Sequence, residues 1–202
     1  EKFNSNKIIK KQIADESCYE GLNNAYKIVS GKFIILLHSG DLFYSPQTLE
    51  KVRNNIDDQT DLLICNFIFF NNSNKVKRIW EISDSNLNLY NCYNIPHTAS
   101  IMNANLIKEI GYYNLNFKIA SDTEYILRIF KNKKINYILL NDFLCFMKLG
   151  GLSTSSQFLF KKIKEDLNIY LEYFGKIKFI FMYLKKISIK INQYKTLKNK
   201  EV

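Results

Sequence analysis

Residues 33–44 read Phe33-Ile34-Ile35-Leu36-Leu37-His38-Ser39-Gly40-Asp41-Leu42-Phe43-Tyr44. Five apolar residues run without interruption and stop at a polar His-Ser-Gly-Asp turn. A short apolar run bounded by turn residues suits a strand buried on both faces, as in a parallel sheet. Open α/β sheets bind their ligands at the carboxyl ends of such strands, so Asp41 is expected where chemistry is done. Taken alone, Ser39-Gly40-Asp41 also has the composition of an ordinary polar turn.

On the N-terminal side, Ser17-Cys18-Tyr19-Glu20 has capping-box spacing and predicts a helix to about Ser30, with Gly31 beyond its end. On the C-terminal side, Ser45-Pro46 predicts a cap and first-turn proline for a helix ending near Ile56. Leu62 to Phe70 reads as a strand, with a hairpin partner over Lys75 to Trp80. His97 to Met102 suits a short strand, and Ala104 to Ile110 a helix stopped by Gly111. Ser121-Asp122-Thr123-Glu124 is a second capping box, opening a helix to about Lys131. Ile135 to Met147 is mostly strand, Gly150-Gly151 a turn, and the pattern after Phe158 is helical. Helices alternating with strands, followed by a hairpin, predict a mixed α/β domain over 1–155 and a helical segment over 156–202.

Bulk properties narrow the function classes. The 202 residues carry a net charge of +10, and Lys161 onward holds eleven Lys against four acids, which places +7 there. Such a tail suits an anionic surface, lipid or nucleic acid, or simply a solvated face. Lysines concentrated in the tail and only three Arg argue against a nucleic-acid partner. Cys18, Cys65, Cys92 and Cys145 lack metal-ligand spacing and suit free thiols in a reducing compartment. With only two His, the composition argues against a zinc site. The first residues lack a signal-peptide core, and no uncharged run nears the roughly 20 residues of a spanning helix. The expected place is the cytoplasm.

Three separated segments together resemble the family 2 glycosyltransferases of the GT-A fold, bacterial polysaccharide and glycolipid type. DESCYEGLNNAYKIVSGK (15–32) is similar to D-x-G-x-Y-D-A-M-N-x-G-x-x-x-A-x-G-E, and FIILLHSGDLFY (33–44) to F-L-N-S-D-D-x-F. Pro96-His97, Gly111-Tyr112-Tyr113, IASDTEYILRIF (119–130) and LGGLS (149–153) resemble C-H-Q-S, G-x-F-D, A-S-D-Y-D-L-x-L-R and G-G-x-S. The resemblance covers about residues 8–155. It implies a Rossmann-like mixed sheet flanked by helices and transfer of a sugar from a nucleotide-diphospho-sugar, a UDP-sugar, to a saccharide or lipid-linked saccharide. It also implies inversion at the sugar and a role in cell-surface polysaccharide synthesis.

By that resemblance Asp41 binds a divalent metal, Mn2+ or Mg2+, which neutralises the departing diphosphate. Asp15, Asn23, Ser39 and Gly40 fall with it on the donor side. Gly40 replaces the family's ribose-contacting Asp, and His38 an Asn. Asp122 matches the catalytic base that takes the acceptor hydroxyl's proton, and a partly dry pocket would raise its pKa. An Asp in a first helical turn is also simply good helix design. His97, Gly150 and Gly151 fall on the acceptor side; a structural His and a plain turn are the competing readings, and Thr98 replaces a Gln.

Residues 1–13 match neither of the family's first two strand ends, T-x-x-Y-N and D-G-x-S-x-D. The expectation is therefore a GT-A domain lacking its N-terminal nucleotide-binding strands, either a fragment of a longer enzyme or an inactive, non-catalytic remnant. In the tail, Ile177, Ile180, Phe181, Leu184, Ile187 and Ile191 fall on one helical face flanked by lysines. That face either docks on an anionic membrane, making the protein peripheral at its inner surface, or packs on the domain.

Overall fold

The computed structural model describes residues 11–82, 86–132, 134–150 and 156–199. Gly151, expected in a turn on the acceptor side, lies outside them, as does the polar start of the chain. Leu62–Phe70 forms β3, nine residues broken only by Asn66 and buried along almost its whole length. A strand apolar on both faces must be covered on both faces, and two apolar clusters do so, one on either side of the sheet. Asn66 is accommodated by its side chain, which donates to Asn141 Oδ1 and accepts from the Ile82 N–H.

β3 runs parallel to β6 (Tyr137–Lys148) on one side. On the other it is antiparallel to both β5 (Ser100–Asn103) and β4 (Val76–Trp80), each against a different half. β1 (Phe33–Ile34) adds to β5 and β2 (Leu42–Phe43) to β6, giving the order β1-β5-β3-β6-β2 with β4 beside β3. The mixed α/β architecture is thus as expected. The centre of the sheet is not: the 33–37 run pairs only at Phe33 and Ile34, in an edge strand. Its residues are half-buried and Leu37 is 44% exposed, because among the described residues an outer strand has one neighbour, not two.

Helix limits follow local chemistry. α1 (Cys18–Ile28) is capped as expected by Ser17 Oγ, which accepts from the Glu20 N–H, but Glu20 reaches back to the Glu16 N–H and the helix stops two residues short of Ser30. α2 (Thr48–Asn54) starts later than Ser45-Pro46 predicts, because Thr48 Oγ1 accepts from the Ser45 N–H and holds 45–48 as a turn. The first half of the His97–Met102 strand is a 3-10 turn, His97–Ala99. α3 (Ala104–Ile110) ends where expected, with Gly111 at φ 88°. In α4 (Ser121–Asn132) the capping box is not made. Ser121 lies inside the helix and donates to Asn114 O, and Glu124 turns away to Arg128 and Tyr173.

The tail is α5 (Leu159–Asn199), broken at Gly175, whose φ of 72° and ψ of 172° are non-helical. Both halves pack on the domain, and Ile169, Tyr170 and Met182 join Tyr125 and Leu127 in one apolar cluster. Of the two alternatives for the apolar stripe, packing on the domain is not what most of it does: Met182 and Gln193 are buried, whereas Ile177, Phe181 and Leu184 are 94%, 69% and 57% exposed.

Candidate active site

Asp122 sits in the first turn of α4, and α5 fixes that turn. Glu165 lies over the helix start, where its carboxylate accepts from the N–H groups of Lys118, Ile119 and Ala120 at 3.1, 2.8 and 3.0 Å. These are the N–H groups of the three residues that lead into α4, gathered by a charge that the dipole of the helix favours at this end. Lys186 donates to Thr123 Oγ1 at 3.1 Å and pairs with Asp166 at 2.8 Å. The pattern S-x-x-E points to a local cap; the actual cap comes from more than forty residues away.

The Asp122 carboxylate has partners on both oxygens. Oδ2 lies 3.2 Å from His97 Nδ1. Oδ1 accepts from the Thr123 N–H at 2.8 Å and lies 3.1 Å from the Tyr19 hydroxyl, which also reaches Ile119 O at 2.9 Å. Burial pushes the Asp122 pKa up, but the His97 hydrogen bond and charge, with Lys162 and Lys186, outweigh it and hold the carboxyl well below the usual range. The raised value expected for a partly dry pocket is therefore corrected. Hydrogen bonds and positive charges favouring the ionised form win over desolvation.

Asp41 closes the turn after β1, its N–H donating to His38 O at 3.0 Å, and Gly40 before it has φ 89°. Oδ1 accepts from the Lys148 N–H at 3.0 Å, whereas Oδ2 is buried with no hydrogen-bond partner among the described residues. A buried carboxylate oxygen with free lone pairs is a hard-cation ligand. Among the described residues no group of three or more His, Cys, Asp or Glu is placed to hold a metal. A cation held at Asp41 would therefore take its other ligands from a diphosphate and water, as is usual for Mg2+.

His38 connects the two carboxylates. Its ring lies 5.9 Å from that of His97, edge-on. Burial and then His97 lower its pKa, while Asp41 and Asp122 both act to raise it. Both carboxylates are thus close enough to one imidazole to act on its charge.

The remaining expected residues divide. Asn23 is buried, and its side chain spans the Tyr113 main chain, donating to O at 2.9 Å and accepting from N–H at 2.8 Å. That ties α1 to the turn before α4. Asp15 is exposed beside Gly21, where an added Cβ would come within 3.0 Å of its Oδ2. Ser39 and Gly40 are exposed at the turn. Gly150 is at φ 119° with open space around its Cα.

A cavity of about 490 Å³ adjoins Asp122 and His97, roofed by α5 and floored by β3 and β4. Gly150 lines it; Asp41 does not. Reading the sequence missed Glu165, Tyr19 and the α5 lysines as parts of the site. Only Tyr19 carried a signal, since it falls on the Tyr of the matched motif.

No family model matches the chain. It is similar to curated proteins from Mycobacterium bovis and Mycobacterium tuberculosis named PGL/p-HBAD biosynthesis glycosyltransferase, 24% identical over 120 residues, 58% of this chain and 45% of theirs. Among solved structures it is similar to Staphylococcus aureus TarS residues 1–349 in complex with UDP-GlcNAc (TM-score 0.58, 20% identity, 77% of this chain and 46% of that one). It is also similar to the UDP complex of the same protein (TM-score 0.52, 18% identity, 76% and 45%). The chain has the fold it shares with TarS, a mixed sheet flanked by helices, and it is similar to proteins named glycosyltransferases. It spans about half the length of those relatives.

Proposed function

We propose that this chain carries the acceptor side and part of the donor side of an inverting glycosyltransferase that uses a UDP-sugar. The observation that carries the reading is Asp122. It is an ionised carboxylate held between His97 and Tyr19 at a capped helix start beside a cavity, with Asp41 on the adjoining turn. The acceptor hydroxyl oxygen attacks the anomeric carbon and its proton passes to Asp122. The bond from that carbon to the diphosphate breaks, and the nucleoside diphosphate leaves. The low pKa keeps Asp122 deprotonated, at the cost of a weaker pull on the proton than a base tuned nearer neutrality has. His97 fixes the carboxylate's orientation, and His38 is near enough to both carboxylates for each to act on its charge. Asp41 would hold a divalent cation, which when bound would neutralise charge on the departing diphosphate. Two facts support the donor class: the named relatives are glycosyltransferases, and TarS was solved with UDP-GlcNAc.

Thermal shift against a panel of UDP-sugars with manganese tests this reading. Stabilisation that disappears with EDTA and in Asp41→Ala supports it, and no stabilisation by any nucleotide-sugar contradicts it and favours a non-catalytic remnant.

The same reading includes a peripheral place on an anionic membrane. The outer face of α5 exposes Ile177, Phe181 and Leu184 beside exposed Lys178 and Lys185, the arrangement of a helix lying in a lipid interface. Among the described residues no helix is long and apolar enough to cross a membrane. Co-sedimentation with phosphatidylglycerol-containing vesicles, absent with phosphatidylcholine alone and reduced in Phe181→Ser, is the expected result. Equal sedimentation with both lipids would contradict it.

A further inference from the structure

The cavity beside Asp122 carries a charge imbalance that the transfer step does not use. Arg78 on β4 and Lys162, Lys186 and Lys190 on α5 line it, against one lining carboxylate, Asp122. Lys186 is matched by Asp166. Arg78 is only 6% exposed; its side chain is hydrogen-bonded to Tyr194, and its buried Nε has no hydrogen-bond partner among the described residues. Its guanidinium lies over the rings of Phe69, Trp80 and Tyr194, at 4.0, 4.7 and 5.6 Å, and no carboxylate pairs with it among the described residues. Burial lowers the pKa of Lys190, and the nearby Arg78, Lys162 and Lys186 lower it further. A cluster of cations with so little opposing charge is costly unless an anion meets it. The cavity these cations line, about 490 Å³, is large enough for a small ligand between aromatic rings and lysines.

We propose that this cavity binds a phosphate ester, its phosphate held by Arg78, Lys162 and Lys190 and its organic part on the Phe69–Trp80 wall. A phosphate offers several acceptor oxygens and close to two negative charges, which suits a guanidinium fork with lysines converging on it. Because the lining includes Asp122, His97 and Gly150 but not Asp41, the phosphate belongs to the acceptor, a label that rests on the transferase reading above. The phosphate is then part of what selects the acceptor, and the hydroxyl to be glycosylated lies toward Asp122.

Trp80 is the protein's single tryptophan and lines the cavity, so its fluorescence reports occupancy without turnover. The full chain is titrated with hexyl phosphate, glycerol 1-phosphate and hexyl glucoside. Saturable quenching by either phosphate, not by the glucoside and not reversed by UDP, is the expected result. Hexyl phosphate as the tighter ligand identifies a lipid source, glycerol phosphate a polyol source. Affinity falls about tenfold in Lys162→Met and in Lys190→Met, both at partly exposed positions, and more in Arg78→Met. Equal binding of the glucoside, unchanged affinity in all three variants, or displacement by UDP overturns the proposal. UDP-GlcNAc binding is measured separately by calorimetry: its absence with phosphate binding intact removes the transferase reading and leaves the phosphate site.

Discussion

Gly40 shows how a single residue can depart from a family pattern for reasons of backbone. With φ at 89° it occupies a region that L side chains rarely adopt, and an added Cβ would stand 3.1 Å from Lys148 Cδ. Gly40→Asp, which restores the motif's carboxylate, is therefore expected to cost about 1–3 kcal/mol in urea unfolding rather than to gain donor affinity. Asp122 makes the complementary prediction. Its folded pKa is depressed, so the unfolded chain binds the proton more tightly. The stability Asp122 contributes is complete above the unfolded carboxylate range, near 3.9, and is lost as pH falls below it. The stability gap between wild type and Asp122→Asn should narrow as urea melts are taken from pH 7 towards pH 3; a constant gap would show that His97 and the lysines do not hold the charge. Asp122 and His97 were each singled out by the motif they fall on. Their 3.2 Å pairing was not, since 25 residues separate them.

The element that most rewards scrutiny is the start of α4. Its sequence looks self-capping, yet the cap is Glu165 of α5, and Tyr173 and Lys186 add contacts to Glu124 and Thr123. Local pattern recognition failed here because a buried carboxylate from another helix satisfies three donors at once, more than a serine hydroxyl can. Glu165→Ala should lower unfolding stability by about 1–3 kcal/mol, the cost of leaving buried N–H groups unpaired. In a transfer assay it should also reduce kcat more than KM, because it displaces Asp122. A variant with full stability and normal kcat would show that the cap is not needed. The helix tail itself was legible, down to its apolar stripe, but which face turns inward was not. Met182, Tyr183 and Ile189 pack with the cluster that holds Tyr125 and Leu127, a surface that exists only in the folded chain.

For the whole molecule, the α/β class, the β3–β4 hairpin and the order of most elements could be read from periodicity and turn residues. The place of the 33–37 run could not. An apolar run fixes that a strand is apolar, whereas its neighbours are set by long-range pairing, and here β3 takes the centre. Two sequence-distant loops, 38–41 and 97–98, meet the start of α4 at one end of this sheet, and the account depends on that meeting having a chemical purpose. The most direct test is a pair of measurements on Asp122→Asn with UDP-GlcNAc: donor binding by calorimetry and release of UDP. Binding unchanged and release slowed by about 10²–10⁴-fold is the predicted result; release at the wild-type rate would contradict the assignment of Asp122 as the base.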